Sequence, residues 1–138
     1  MSSPKPRILC VEVLPLLLTD YALTLAHTVD EGLRLAQGGG FDLYLLDDWL
    51  PDGSGIELCR QIRRFDSRTP VLFYSGLGDD TEGQRALAAG AQAYLQKPVD
   101  WEELARVIAR LITEAAATRS PNRDASRERI EQALIDSK

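Results

Sequence analysis

Five short apolar runs recur along the chain, and helix-patterned segments follow most of them. The runs are RILCVE (7–12), ALTLAH (22–27), DLYLLD (42–47), PVLFYS (70–75) and AYLQ (93–96). Each has strand length, and the first is apolar enough to be covered on both faces. Thr28 with Glu31 three residues on forms a capping box, so a helix starts there and stops before Gly38-Gly39-Gly40. IELCRQIRRF places Leu58, Ile62 and Phe65 at helical spacing with Cys59 alongside. DDTEGQRALAAG opens with acids and closes at Gly90, and Asp100 with Glu103 caps a last helix carrying the apolar stripe LARVIARLI. Strands alternating with helices predict an α/β fold, a parallel sheet with helices on both faces.

The 138 residues fit one domain, and 44% hydrophobic content suffices for a core. A net charge of -5, with basic residues scattered apart from the run between Arg60 and Arg68, argues against a direct nucleic-acid surface. Cys10 and Cys59 have no metal-ligand spacing and read as buried free thiols. No segment reaches the ~20 apolar residues of a membrane span, and MSSPKPR has no secretory core, so the expected location is cytoplasmic. No repeat or low-complexity tract is present. From Thr118 onward the sequence turns polar; RERIEQALI there reads equally as a short helix or a frayed linker. The domain is expected to span 1–117 and the tail 118–138.

In an open α/β sheet, ligands bind beyond the carboxyl ends of the strands. The residues at those ends are Glu12, Asp47 with Asp48, Ser75 and Lys97. Carboxylates, a hydroxyl and an ammonium at one rim suit phosphoryl transfer to a carboxylate. Clustered acids bind Mg²⁺, the ammonium neutralises the transferring group, the hydroxyl bonds one of its oxygens, and an aspartate can be the nucleophile.

LYLLDDWLPDGSGIEL, VLFYSG and GAQAYLQKP, in that order, resemble the receiver domain of two-component response regulators, from about Arg7 to Ile112. The resemblance implies a flavodoxin-like, doubly wound sheet of order 2-1-3-4-5. It implies Asp47 as phosphoacceptor, Ser75 as phosphate-sensing hydroxyl, Lys97 as ion-pair partner and Tyr94 as switch aromatic. It implies Mg²⁺ held by Glu12, Asp47 and the Trp49 backbone carbonyl. Asp47 is preferred over Asp48 because Pro51 lies four residues after it, and because alternation points Asp48 away; Asp48 itself reads as a loop acid. His27 reads as a solvated surface residue.

Two departures from the pattern stand out. Val13 follows Glu12 where the family has a second acid, so weaker Mg²⁺ binding is expected, with Asp48 or Asp52 as outer substitutes. Only nine residues, VLPLLLTDY (13–21), connect the first two runs, fewer than the dozen or so of an ordinary crossover. The first helix is therefore expected to be shortened or absent. A partly uncovered sheet face then favours homodimerisation, or a tail that folds back over the gap.

The expected function is a non-enzymatic phosphorelay receiver that takes a phosphoryl group from a sensor histidine kinase onto Asp47 and acts on a downstream protein. The alternative is a receiver-like interaction module that works without phosphate. A phosphatase with an aspartate nucleophile fits less well, because Trp49 stands where such enzymes place a second acid.

Overall fold

A computed structural model describes residues 5–12, 19–76 and 80–119. The strands are β1 (Arg7–Val11), β2 (Ala22–Ala26), β3 (Leu43–Leu46), β6 (Val71–Ser75) and β7 (Ala93–Gln96), joined into one parallel sheet of order β2-β1-β3-β6-β7. That order is the expected one. Two further strands form a two-residue antiparallel ribbon, β4 (Trp49–Leu50) with β5 (Gly53–Ser54), which the sequence reading lacked. The helices are α1 (Val29–Gly38), α2 (Gly55–Arg63), α3 (Asp80–Ala88) and α4 (Trp101–Arg119).

Strand alternation sorts the core into two halves. Leu9, Val11, Tyr44, Leu46, Val71 and Phe73 face α1, α2 and α3, where Ala36, Leu58, Cys59, Ile62 and Ala86 meet them. Ile8, Cys10, Leu43, Leu45 and Leu72 face α4, which presents Leu104, Val107, Ile108 and Leu111. Those four positions follow the i, i+3, i+4, i+7 spacing, so one stripe of α4 is apolar. Cys10 and Cys59 are both free and buried, as expected.

Among the described residues, α4 is the one helix on the second face. No helix lies between β1 and β2 in the described positions, and residues 13–18 of that crossover lie outside them. Leu23 is only partly buried and Leu25 is 42% exposed on the edge strand. The predicted tail helix, in residues 118–138, falls outside the described residues beyond the end of α4.

Capping fixes the helix starts. Thr28 Oγ1 accepts from Glu31 N at 3.0 Å, while Glu31 reaches back to the His27 amide at 2.9 Å. Ser54 accepts from Glu57 N at 3.1 Å and Asp100 from Glu103 N at 2.7 Å. Each cap satisfies an amide that has no partner within its helix.

The turn into β6 is pinned by Asp66. Its carboxylate accepts from the amides of Arg68 and Thr69 at 3.0 Å each and from the Tyr44 hydroxyl at 2.8 Å. Burial alone raises this carboxyl, but the Thr69, Arg68 and Tyr44 hydrogen bonds outweigh it and hold the pKa at about 2. Since the folded value lies below the unfolded one, the stabilisation is present above the ordinary carboxyl range and is lost as pH falls through about 2. After discounting for solvent exposure, it amounts to about 1 kcal/mol. Asp66→Asn is therefore expected to lower stability by that amount in urea melts at pH 7, with the gap to wild type narrowing as the pH drops toward 2. A gap independent of pH contradicts this account.

Candidate functional site at the carboxyl rim of the sheet

Register decides which side chains meet. Val11 pairs with Leu46, and Leu46 with Phe73, so Glu12 and Asp47 emerge together at the rim. Ser75, two residues past Phe73, stands level with Asp48 and pairs with Gln96, immediately before Lys97. The Lys97 amide donates to the Ser75 carbonyl at 2.8 Å, and the Lys97-Pro98 peptide is cis.

Asp47 follows the last residue of β3, with its amide on the Val11 carbonyl at 3.2 Å. Its Oδ2 lies 3.5 Å from Lys97 Nζ, and its Oδ1 accepts from the Trp49 amide at 3.3 Å. The side chain is 17% exposed, so it is sheltered yet open to a reactant. The ammonium also lies 5.2 Å from the Tyr74 ring centroid, which holds its stem over the sheet edge. Carboxylate and ammonium thus meet at the rim, and Ser75 is fully buried at the neighbouring strand end.

Glu12 reaches the same rim with a positive φ of 59°, but its carboxylate is engaged by His27 Nδ1 at 2.8 Å. His27 follows β2 directly, and its ring remains exposed; it is a partner of Glu12 rather than merely a solvated residue. Trp49 has its ring in solvent, at 65% exposure.

Asp48 stands in the loop between β3 and β4, as read, but it is buried, at 4% exposure, with Oδ2 accepting from the Tyr94 hydroxyl at 2.8 Å. Burial raises its carboxyl pKa, hydrogen bonds from Tyr94 and Ser75 oppose that, and the charges of Glu82 and Asp47 add to it. Burial and the bond to Asp48 push the Tyr94 phenol up to about 12. Tyr94 also stacks on Phe73, with ring centroids 6.0 Å apart. Alternation did place Asp48 away from the Asp47–Lys97 pair; the side it turns to is occupied by β7 rather than by water.

Asp52 accepts from the Val29 and Asp30 amides at 2.7 and 3.2 Å and so ties the β4–β5 turn to the start of α1. The Val29 amide bond, aided by that of Asp30, lowers its pKa. Among the described residues no group of three His, Cys, Asp or Glu could hold a metal ion. Two rim carboxylates remain, Glu12 and Asp47. That donor set fits a hard cation that keeps most of its ligands as water, and fits it weakly.

Gly55, at the start of α2, is a site residue the sequence reading missed. A Cβ there would overlap the Asp47 carbonyl oxygen and come within 2.9 Å of the Phe73 ring. Its amide donates to the Asp48 carbonyl at 2.9 Å. The chain after Asp47 can fold back this closely only without a side chain.

Comparison with known proteins agrees with this geometry. A family model described as response regulator receiver domain matches residues 5–109. The transcriptional regulatory protein YkoG of Bacillus subtilis, itself uncharacterized, is 41% identical over 92 residues, covering 66% of this chain and 40% of that protein. Response regulator ArlR of Staphylococcus epidermidis is 34% identical over 105 residues, 76% of this chain and 45% of that protein. The chain thus spans under half the length of these relatives. Among solved structures, a CheY-like receiver domain protein from Methanospirillum hungatei superposes with a TM-score of 0.76 at 28% identity, covering 83% of this chain and 98% of that one. The non-phosphorylated HemR receiver domain of Leptospira biflexa gives 0.71 at 31% identity, covering 79% and 95%. With that family match laid over the five-strand order and the Asp47–Lys97 pair, the chain belongs to the response regulator receiver domains of two-component signalling.

Proposed function

We infer that this domain accepts a phosphoryl group on Asp47 from the phosphohistidine of a sensor histidine kinase. The observation that carries the reading is Lys97 Nζ at 3.5 Å from Asp47 Oδ2 beside the buried Ser75. In the transfer, an Asp47 carboxylate oxygen attacks phosphorus. The P–O bond forms as the P–N bond to the kinase imidazole breaks, and the released nitrogen takes up a proton. Lys97 offsets charge on the phosphoryl oxygens, and the role assigned to the Ser75 hydroxyl is to donate to one of them. Glu12, Asp47 and the Trp49 carbonyl would hold Mg²⁺, which would supply further charge neutralisation, and the affinity is expected to be low because Val13 follows Glu12 in place of a second acid. Asp47, Ser75 and Lys97 together weigh for phosphate acceptance and against a module indifferent to it.

Tyr94 and Ser75 then carry the change to the face formed by α3 and β7, which engages a downstream protein. The second face near Leu23 and Leu25, thinly covered among the described residues, supports self-association. No helix among the described residues is long and apolar enough to cross a membrane, and the proposed setting is the cytoplasm. The domain acts as a regulatory acceptor rather than an enzyme on other molecules.

The test is exposure to acetyl phosphate and Mg²⁺, read by intact-protein mass. One phosphoryl group should be gained, released by hydroxylamine as expected of an acyl phosphate, and gained more slowly without Mg²⁺. No gain at any Mg²⁺ concentration refutes the reading.

A further inference from the structure

Phosphoryl transfer to Asp47 gives its neighbour Asp48 no part to play, yet Asp48 is the more deeply buried of the two. Burying a carboxylate costs several kcal/mol unless its oxygens are well partnered. Here Oδ2 takes the Tyr94 hydroxyl at 2.8 Å, and Oδ1 is buried with no hydrogen-bond partner among the described residues. The buried Ser75 stands level with Asp48 in the strand register. An apolar side chain would fill this place at lower cost, so the carboxylate is best explained by the Tyr94 hydroxyl that it accepts.

We propose that Asp48 is a positioning residue: a buried acceptor that holds the Tyr94 hydroxyl against the rim before any phosphoryl group arrives. Tyr94 is drawn over Phe73 by this contact, in the unphosphorylated protein. Asp48 thereby sets how far Tyr94 moves on phosphorylation. This last consequence rests on Asp47 as acceptor; the holding of Tyr94 does not.

The test uses the full chain labelled with 3-fluorotyrosine, with no phosphodonor present. Fluorine NMR resolves the four tyrosines, and Tyr94→Phe assigns the resonance of interest. In Asp48→Leu the Tyr94 signal should move toward that of free fluorotyrosine and become more sensitive to exchange of H₂O for D₂O. Asp48→Asn, with a neutral acceptor of the same shape, should move it the same way but less far. Unchanged signals from Tyr21, Tyr44 and Tyr74 report an intact fold, and the Asn variant carries the test if the Leu variant does not fold. A Tyr94 signal that keeps the wild-type position and solvent sensitivity in either folded variant overturns the proposal. Because nothing is phosphorylated, that outcome is distinct from a failure of Asp47 to accept phosphate.

Discussion

Gly55→Ala is expected to destabilise the domain by about 3 kcal/mol and to abolish most phosphoryl uptake by Asp47. The added methyl has no place to go. Its neighbours are the Asp47 carbonyl and the Phe73 ring, one of them backbone and the other fully buried. Relief requires α2 to move outward or the chain at Asp47 to shift. The first weakens packing of Leu58 and Ile62 on the sheet; the second drags the carboxylate away from Lys97. Urea denaturation and the acetyl phosphate assay read the two effects separately. Gly53→Ala is the control, since a Cβ there meets only the Val29 methyl at 3.1 Å, a side chain that can yield. Equal stability of the Gly55 variant and wild type would show that the close approach of α2 to Asp47 is drawn too tightly.

Lys97→Ala is expected to slow phosphoryl uptake on the order of 100-fold, the usual scale for removing one charge-stabilising donor from a transfer site. Stability should change far less, by about 0.5 kcal/mol, because the ammonium is partly in solvent and exposed ion pairs contribute little. That split between rate and stability separates a role in the reaction from a role in the fold. Initial rates of mass gain, set beside urea melts of the same samples, check it. A rate within twofold of wild type would remove Lys97 from the site.

The sheet was legible because its evidence is repeated five times. Each apolar run ends in a polar residue, and parallel strands bring all those ends to one rim. Asp47 and Lys97 could therefore be placed at one rim from sequence although 50 positions separate them, while their pairing was only what the family resemblance implied. Asp48 could not be placed, because alternation gives the direction of a side chain and not what waits there. Its partner Tyr94 comes from the far edge strand. The Glu12–His27 contact was within reach: β1 and β2 are parallel neighbours in register from Arg7–Ala22 to Val11–Ala26, so the next residue on each must stand side by side. The β4–β5 ribbon was invisible because two residues carry no periodicity. Gly55 was hidden by its position directly after an N-cap serine, where a glycine attracts no notice until the approach of another backbone is known.

The central claim is that the rim built from β1, β3, β6 and β7 directs phosphate to Asp47 and not to the adjacent carboxylate. Borohydride reduction of the acetyl phosphate-treated protein converts an acyl phosphate to a stable alcohol, and peptide mass spectrometry then locates it. The account predicts the reduced residue at position 47 and its loss in Asp47→Asn, with uptake retained in Asp48→Asn. A reduced residue at position 48, or uptake that survives Asp47→Asn, would contradict it.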